Sequence, residues 1–248
     1  MKHTAESVNR PYSGRVFVIV GPTASGKTGL GIKLAERFGG EIISADSRAI
    51  YKYMDIGTAK PTLAERAQVQ HWGIDLVEPG DRFTACDFKE YASGKISDIR
   101  ARGKVPFIVG GTGLYVDTLV YDYRFGQNYD DRAQIQPEYT VVGITTERDE
   151  LRDRIQQRAQ QMFASDIVKE TTYLAKKYGW DNEAMKSNIY PIIQEMIDGK
   201  LTLDEAQQKF FFEDWHLARR QMTWFRRNKN IHWLELGEVK QYIAGLLD

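Results

Sequence analysis

The first half of the chain alternates short apolar runs with amphipathic segments. The apolar runs predict five strands, at Val16 to Val20, Glu41 to Ala45, Val105 to Val109, Tyr139 to Ile144 and, more weakly, Gly73 to Val77. Strands that alternate with helices are typical of βαβ units, in which the strands lie parallel in one sheet. The pattern therefore predicts an α/β fold, with a parallel sheet flanked by helices.

Two helices in this half have clear sequence signals. The first follows the strand at Val16 to Val20 through a glycine-rich turn and extends to about Phe38. The second begins at Thr84, where Asp87 three residues later completes a capping-box pattern. Residues at helical spacing after Thr84 predict one apolar side that packs on the sheet. That side consists of Phe88, Tyr91, Ala92, Ile96 and Ile99.

From Glu147 onward the pattern is mostly helical. One long helix begins there, and a second is predicted over Asn188 to Ile197. A third begins with the capping box formed by Thr202 and Glu205. Ile231 to Leu234 is predicted as a last edge strand, followed by a terminal helix.

This change of pattern predicts two regions. Residues 1–145 form a P-loop NTPase-like α/β core, and residues 146–248 form a mostly helical C-terminal region. The polar, irregular stretch from Asp122 to Pro137 is predicted to be a linker or mobile loop. A chain of 248 residues has room for one or two domains with a substantial core.

Composition excludes several classes of protein. The 34 basic and 34 acidic residues balance, so a nucleic-acid partner has to be found from local patches of charge. The single cysteine, Cys86, excludes an intramolecular disulfide framework and a cysteine-cluster metal site. Met1 to Ser13 lacks the apolar stretch of a signal peptide, and no run reaches the length of a membrane helix. We therefore expect a cytoplasmic monomer with no membrane partner.

A phosphate-binding loop directly follows the first strand and matches the pattern G-x-x-x-x-G-K-[ST] in full. Backbone N–H groups and the helix N-terminus surround an anion there, the lysine adds a positive charge, and the hydroxyl of Thr28 can bind Mg²⁺. Kinases, GTPases, ATPases and some transferases share this loop, so it predicts a diphosphate or triphosphate without identifying its carrier. The P-loop consists of Gly21, Pro22, Thr23, Ala24, Ser25, Gly26, Lys27 and Thr28.

Two further turns follow strands at the same predicted edge of the sheet. Asp46 comes after Glu41 to Ala45, at the carboxyl end where open α/β sheets bind ligands. It could hold Mg²⁺, act as a general base or cap the next turn, and the residues alone leave these roles open. The glycine turn from Val109 to Tyr115 includes Thr112, whose hydroxyl can donate to a phosphate oxygen. A plain tight turn is the alternative.

Arg154 and Arg158 lie on the apolar side of the predicted helix after Glu147, together with Leu151 and Ile155. Arginine is rarely buried without an anionic partner. The two arginines are therefore predicted to close over the P-loop and bind the same diphosphate. The alternative is that they extend past the edge of the apolar side into water.

The segment after the third helix is strongly basic. On a helix, four arginines and Thr223 share one side, and Leu217, Trp224 and Phe225 share the other. Such a basic side in a neutral protein predicts contacts with a nucleic-acid backbone, although a solvated basic surface is the alternative. The four arginines are Arg219, Arg220, Arg226 and Arg227.

These residues resemble the tRNA dimethylallyltransferase family. The most specific matches are Asp55 to Pro61 (DIGTAKP), Gly110 to Tyr115 (GGTGLY) and Arg220 to Arg226 (RQMTWFR). Further matching stretches span most of the chain in the family's order: Gly21 to Thr28, Ile43 to Tyr51, Phe83 to Phe88, Leu151 to Met162 and Ile231 to Leu234.

The resemblance implies a reaction and a set of roles. The P-loop, with Arg154 or Arg158, would bind the diphosphate of dimethylallyl diphosphate with Mg²⁺. Asp46 would be the general base on N6 of the adenosine 3′ of the anticodon, with Lys27 and Thr112 as the other catalytic residues. The residues implied to contact the anticodon stem-loop of tRNA are Asp46, Ser47, Arg48, Ala49, Thr112, Arg219, Arg220, Gln221, Thr223 and Arg226.

The sequence departs from the family pattern in three places. The long helical insertion after the GGTGLY helix is reduced to about Asp122 to Glu138, Ile189 stands where a glycine precedes Tyr190, and Asp214 to His216 replaces a usual basic residue. Three other functions were considered: a prenyltransferase of free adenine nucleotides, a P-loop kinase of a small metabolite, and a tRNA-binding protein without catalysis. The basic segment argues against the first two, and the intact P-loop and Asp46 argue against the third.

Overall fold

A six-stranded sheet forms the centre of the computed structural model, which describes residues 14–121, 135–186 and 189–247. Neighbouring strands are all parallel, in the order β3-β2-β4-β1-β5-β6, so the predicted α/β fold is confirmed. The strands are β1 Val16–Val20, β2 Glu41–Ser44, β3 His71–Trp72, β4 Pro106–Gly110, β5 Tyr139–Thr145 and β6 His232–Glu235.

Helices cover both faces of the sheet and form most of the C-terminal region. The capping boxes predicted at Thr84 and Thr202 are present, and Thr62 has a third. No helix in the described ranges is long and apolar enough to cross a membrane. The helices are α1 Lys27–Arg37, α2 Leu63–Gln68, α3 Ala85–Ala101, α4 Gly113–Val120, α5 Arg148–Phe163, α6 Ile167–Tyr178, α7 Ile189–Ile197, α8 Leu203–Phe225 and α9 Leu236–Leu247.

The two faces of the sheet have separate apolar cores. Val16, Val18 and Val20 of β1 point to the core that contains residues of α3 and α4. Phe17 and Ile19 point to the core that contains residues of α1 and α9. This alternation follows from the two-residue period of a strand, and burial on both faces explains why β1 is an unbroken apolar run.

The C-terminal part of the chain contributes both to the sheet and to a third core. The predicted strand at Ile231 to Leu234 is present as β6, which pairs in parallel with β5 at the edge of the sheet. The third core packs residues of α5, α6, α7 and α8 against Ile50, Tyr51 and Met54, which follow β2. The helical region is therefore anchored to the loops at the carboxyl edge of the sheet.

Some sequence predictions need correction. The strand predicted at Gly73 to Val77 is wrong, because the sheet strand is β3 and Val77 makes only an isolated bridge with Tyr51. Gly73 ends β3 with a φ of 78° against the backbone of Ser44. Helix α6 was not predicted. The basic segment is the end of α8, with Arg226 as its C-cap residue.

The predicted linker from Asp122 to Pro137 falls largely on residues 122–134, which lie outside the described residues, as do residues 1–13.

Glu41, the first residue of β2, is a buried carboxylate with several partners. It is 2% exposed, and it accepts hydrogen bonds from Trp72 at 2.8 Å, Lys104 at 2.8 Å and the guanidinium of Arg102. The hydrogen bonds from Arg102 are the largest cause that lowers the pKa of Glu41 from 4.5 to about 2. The ionised carboxylate is therefore a stabilising element at the start of β2.

We predict that Glu41→Gln removes a pH-dependent part of the stability. A carboxyl group whose pKa is lower in the folded state stabilises the protein at pH values above its pKa in the unfolded chain. This contribution is lost as the pH falls from about 4.5 towards 2. The free energy of unfolding of wild type should exceed that of the variant by on the order of 2 to 3 kcal/mol at pH 7. This difference should shrink below pH 4.5. Urea unfolding of both proteins across this range measures it. A difference that is independent of pH would contradict the prediction.

Candidate active site

The P-loop connects β1 to α1 and surrounds the N-terminus of that helix. Lys27 is the first residue of α1, and Gly26 before it has a φ of 85°, in the region that glycine adopts without strain. The Nζ of Lys27 donates a hydrogen bond to the carbonyl oxygen of Pro22 at 2.9 Å. The predicted order of strand, loop and helix is confirmed.

Two buried polar atoms beside this loop have no hydrogen-bond partner within the described residues. They are Oγ of Ser25 and Nε of Arg158. Buried polar groups are nearly always paired. Nε of Arg158 lies 3.5 Å from a carboxylate oxygen of Asp214, beyond a good hydrogen bond, and both atoms can donate to an anion. Thr28, in the first turn of α1, lines the same cavity as Asp46. The residues present therefore fit a phosphate group, and the Thr28 hydroxyl is a group that could hold a magnesium ion.

Burial dominates the electrostatics of Lys27. It lowers the pKa of the ammonium group from 10.5 to about 8, because the charged form loses its hydration. The carboxylates of Asp46 and Asp214 oppose this shift, and the guanidinium of Arg158 adds to it. A bound phosphate would bring negative charge that favours the protonated lysine, so anion binding and the charge on Lys27 support each other.

The carboxylate of Asp46 caps the turn after β2. Its Oδ1 accepts hydrogen bonds from the backbone N–H of Arg48 at 2.8 Å and of Ala49 at 3.4 Å, so the capping role considered from the sequence is observed. Asp46 also lines the cavity that Lys27 and Thr28 line. The cap holds the carboxylate at this cavity, which makes it available as a base or as a metal ligand.

The glycine turn after β4 is joined to the turn that contains Asp46. The N–H of Thr112 donates to the carbonyl oxygen of Ala45 at 3.1 Å, and the N–H of Ser47 donates to Oγ1 of Thr112 at 3.0 Å. The Thr112 hydroxyl itself donates to Oγ of Ser47 at 3.3 Å. The structure thus brings Thr112 and Asp46 together at the carboxyl edge of the sheet, as the sequence predicted.

Gln221 of α8 connects the P-loop to the glycine turn. Its Oε1 accepts from the N–H of Thr23 at 2.8 Å, and its Nε2 donates to the carbonyl oxygen of Gly111 at 3.1 Å. Gly111 has no room for a side chain, since a Cβ there would lie 2.4 Å from Nε2 of Gln221. The sequence predicted an RNA contact for Gln221. In the structure, both the oxygen and the nitrogen of its amide form hydrogen bonds with these two loops.

The two arginines of α5 lie beside the P-loop, as predicted. Arg154 donates to the carbonyl oxygen of Ser25 at 3.4 Å and pairs with Glu150 at 2.6 Å. Arg158 lines the cavity that contains Lys27. Helix α5 therefore brings Arg158 to the cavity, whereas Arg154 contacts the backbone of the P-loop and does not line the cavity.

Asp214 of α8 is a buried acid in the same cavity. It is 3% exposed, its Oδ2 lies 3.5 Å from Nε of Arg158, and it accepts a hydrogen bond from the hydroxyl of Thr23 at 3.4 Å. Burial raises the pKa of this carboxyl group, and Arg158 opposes the increase. No role for Asp214 follows from the sequence motifs. A signal was available, because Asp214 shares a helical face with Phe210 and Leu217.

These residues line a cavity of about 380 Å³. The predicted basic side of α8 borders this cavity through Arg220, and Arg219, Thr223 and Arg226 line an exposed groove beside Pro22. Arg219, Arg220 and Arg227 also share an exposed surface. The cavity wall also includes Gly57, Thr58 and Ala59, three residues of the DIGTAKP motif. The other cavity residues are Thr23, Lys27, Thr28, Asp46, Ser47, Arg48, Gly111, Thr112, Arg158, Phe210, Asp214, Leu217 and Gln221.

We predict that Gln221→Ala weakens the binding of pyrophosphate to the P-loop by about 5- to 10-fold, roughly the loss of one or two net hydrogen bonds. Without the amide, the N–H of Thr23 and the carbonyl of Gly111 lose the group that holds the two loops together. Isothermal titration calorimetry measures the affinity. The control is Gln208→Ala, the same change at an exposed position of α8. Equal affinities for the two variants would show that Gln221 does not support the loop.

Most of the chain is similar to known transferases. The IPP transferase family model matches residues 49–140 and 126–228, and an isopentenyl transferase model matches residues 14–74. The tRNA dimethylallyltransferase 1 of Citrifermentans bemidjiense is 35% identical, over 93% of this chain and 97% of the relative. The tRNA dimethylallyltransferase of Acetivibrio thermocellus is 34% identical, over 90% of this chain and 92% of the relative.

Solved structures are similar over the same length. The tRNA isopentenylpyrophosphate transferase of Bacillus halodurans superimposes with a TM-score of 0.83 at 32% identity, over 94% of this chain and 97% of that one. The corresponding enzyme of Staphylococcus epidermidis has a TM-score of 0.83 at 30% identity, over 94% and 99% of the two chains. The fold, the P-loop site and these similarities together show that the chain belongs to the IPP transferase family.

Proposed function

We propose that this protein transfers a dimethylallyl group from dimethylallyl diphosphate to N6 of the adenosine 3′ of the anticodon in tRNA. The relatives that match nearly its whole length are named tRNA dimethylallyltransferases. The observation that carries the proposal is one cavity that holds both the carboxylate of Asp46 and the anion-binding groups Lys27 and Thr28. A base and a site for a leaving group are the two elements that the transfer requires.

In this proposal the P-loop holds the diphosphate as the leaving group. The allylic C–O bond breaks with its electron pair on the diphosphate oxygen, and donors fixed at that oxygen stabilise the charge that develops. Lys27 and the N-terminus of α1 are such donors, with the guanidinium of Arg158 in the same cavity. Mg²⁺ at the Thr28 hydroxyl would neutralise further phosphate charge and so improve the leaving group.

Asp46 is the general base. An exocyclic amine is a poor nucleophile, so a carboxylate that removes its proton while the new N–C bond forms accelerates the transfer. The electron pair of N6 forms the bond to the allylic carbon, and the N6 proton passes to Asp46. Hydrogen bonds from the backbone of Arg48 and Ala49 hold Oδ1 of Asp46 in place for this step.

The acceptor adenosine has to leave its stack to reach the cavity. Bases of an anticodon loop are unpaired, which makes this easier than in a duplex. Ser47 and Arg48 line the cavity next to Asp46, with Thr112 beside them. The exposed Arg219 and Arg226, near Thr223, offer positive charge to the RNA backbone outside it.

The proposal is tested by incubating the protein with dimethylallyl diphosphate, Mg²⁺ and either anticodon stem-loop RNA or AMP. Mass spectrometry then identifies the acceptor that gains the prenyl group. Prenylated RNA is the expected result. Prenylated AMP with unmodified RNA would indicate an enzyme of free nucleotides. Turnover of ATP alone would indicate a kinase.

We predict that Asp46→Asn lowers the turnover of RNA prenylation by about 10²- to 10⁴-fold, as expected for a lost general base. Asparagine keeps the Oδ1 that accepts from the backbone of Arg48, so the turn should persist. Binding of pyrophosphate with Mg²⁺ should match that of wild type in calorimetric titrations. If Mg²⁺-dependent binding is lost instead, Asp46 is a metal ligand.

We predict that Arg219→Gln together with Arg226→Gln weakens binding of the anticodon stem-loop and reduces its salt dependence. Each lost phosphate contact makes the negative slope of log K against log[salt] less steep by about 0.7. Filter binding at several salt concentrations measures the slope. The matched control is Lys200→Gln with Lys209→Gln, which removes the same charge from the first half of α8 and the residues just before it. Identical slopes in the two double variants would contradict an RNA contact at this groove.

A further inference from the structure

Segment 55–60 forms part of the cavity wall and is held at both ends. Within the segment, the N–H of Lys60 donates to the carbonyl oxygen of Asp55 at 3.0 Å, which closes a tight turn. The residues between the two ends, Gly57 to Ala59, line the cavity that contains Asp46. The position of this wall therefore affects the space next to the proposed base.

Glu170 of α6 holds the first end of the segment. Its carboxylate accepts hydrogen bonds at 2.7 to 2.9 Å from three consecutive backbone N–H groups, those of Asp55, Ile56 and Gly57. The hydroxyl of Tyr190 in α7 donates to the same carboxylate at 2.8 Å. Successive N–H groups of this kind form a concave site for an anion. Here the anion is a side chain from the helical region.

The buried ammonium group of Lys60 holds the other end. Its side chain is 0% exposed, and its Nζ lies 3.0 Å from a carboxylate oxygen of Asp55 and 2.6 Å from one of Asp75. It also donates to the carbonyl oxygen of Tyr51 at 2.5 Å. These partners all belong to the N-terminal part of the chain. Glu170 supplies the hydrogen bonds from the helical region to the segment, and Ile56 adds apolar packing on the same helices.

The backbone between the two ends has an unusual conformation and lies very close to a neighbouring side chain. Ala59 has a φ of 47°, which residues other than glycine rarely adopt. Gly57 approaches Tyr190 so closely that a Cβ would lie 2.5 Å from its ring. Such backbone persists where surrounding contacts hold it in place. The four hydrogen bonds to Glu170 provide contacts of this kind.

We propose that Glu170 is a positioning residue for the transfer reaction, which holds the wall at Gly57 to Ala59 in the shape that places the acceptor adenosine against Asp46. The inference rests on the proposed function. A carboxylate suits this role because it accepts hydrogen bonds at both oxygens and has no N–H of its own. A glutamine would turn an NH₂ group towards backbone N–H groups, so it cannot replace all four bonds.

The main test compares Glu170→Gln with wild type. The variant should prenylate the anticodon stem-loop with a kcat about 10- to 100-fold lower, the scale expected for a misplacement near 1 Å. Its affinity for pyrophosphate should equal that of wild type, because the P-loop contacts do not include Glu170. Native-state hydrogen exchange should show faster exchange at the amides of residues 55–57.

Two further variants complete the test. Glu195→Gln makes the same chemical change at a partly exposed site on α7 and should keep the wild-type kcat. Glu170→Asp keeps the charge and withdraws the carboxylate by one methylene group. It should show a smaller loss of kcat, and it preserves the test if Glu170→Gln does not fold.

A wild-type kcat in Glu170→Gln or Glu170→Asp would overturn the proposal. Loss of pyrophosphate affinity in parallel with kcat would also overturn it, because Glu170 would then support the fold in general. A wild-type protein that prenylates no RNA would refute the proposed function instead. In that case hydrogen exchange at residues 55–57 still decides whether Glu170 holds the segment.

Discussion

The loops at the carboxyl edge of the sheet depend on polar side chains supplied by the C-terminal helices. Loops lack a core of their own, and their backbone groups need hydrogen-bond partners where water is excluded. Gln221 pairs with the P-loop and with the glycine turn, Asp214 accepts from Thr23, and Glu170 holds residues 55–57. The bonds of Gln221 join positions 198 and 110 residues apart in the chain. The active site is therefore a product of the way the helices pack on the sheet.

The same packing sets the charge balance of the cavity. The guanidinium of Arg158 disfavours the charged form of Lys27, and the carboxylates of Asp46 and Asp214 favour it. A buried charge without a partner is costly, so a site for a strongly charged ligand needs groups that stabilise it when it is empty. Asp214 pairs with Arg158 and accepts from a P-loop residue, which places it to meet this need.

The strands that the sequence predicted correctly have strong local signals. β1 and β4 are continuous apolar runs because both of their faces are covered, and turns with glycine mark their carboxyl ends. The misplaced strand at Gly73 to Val77 shows the limit of such signals. β3 has only two residues, and Gly73 ends it by lying against the backbone of Ser44, a contact that is invisible along the sequence.

The sequence by itself determined the α/β fold, the P-loop and the positions of Asp46 and Thr112 at one edge of the sheet. These features depend on spacing within short stretches and on the rule that parallel strands end at a common edge. Only the tertiary structure placed Gln221 between two loops, buried Asp214 beside Arg158 and brought Glu170 to the backbone of residues 55–57. Those roles depend on how α5, α6 and α8 pack against the sheet, and contacts between distant segments leave no periodic pattern in the chain.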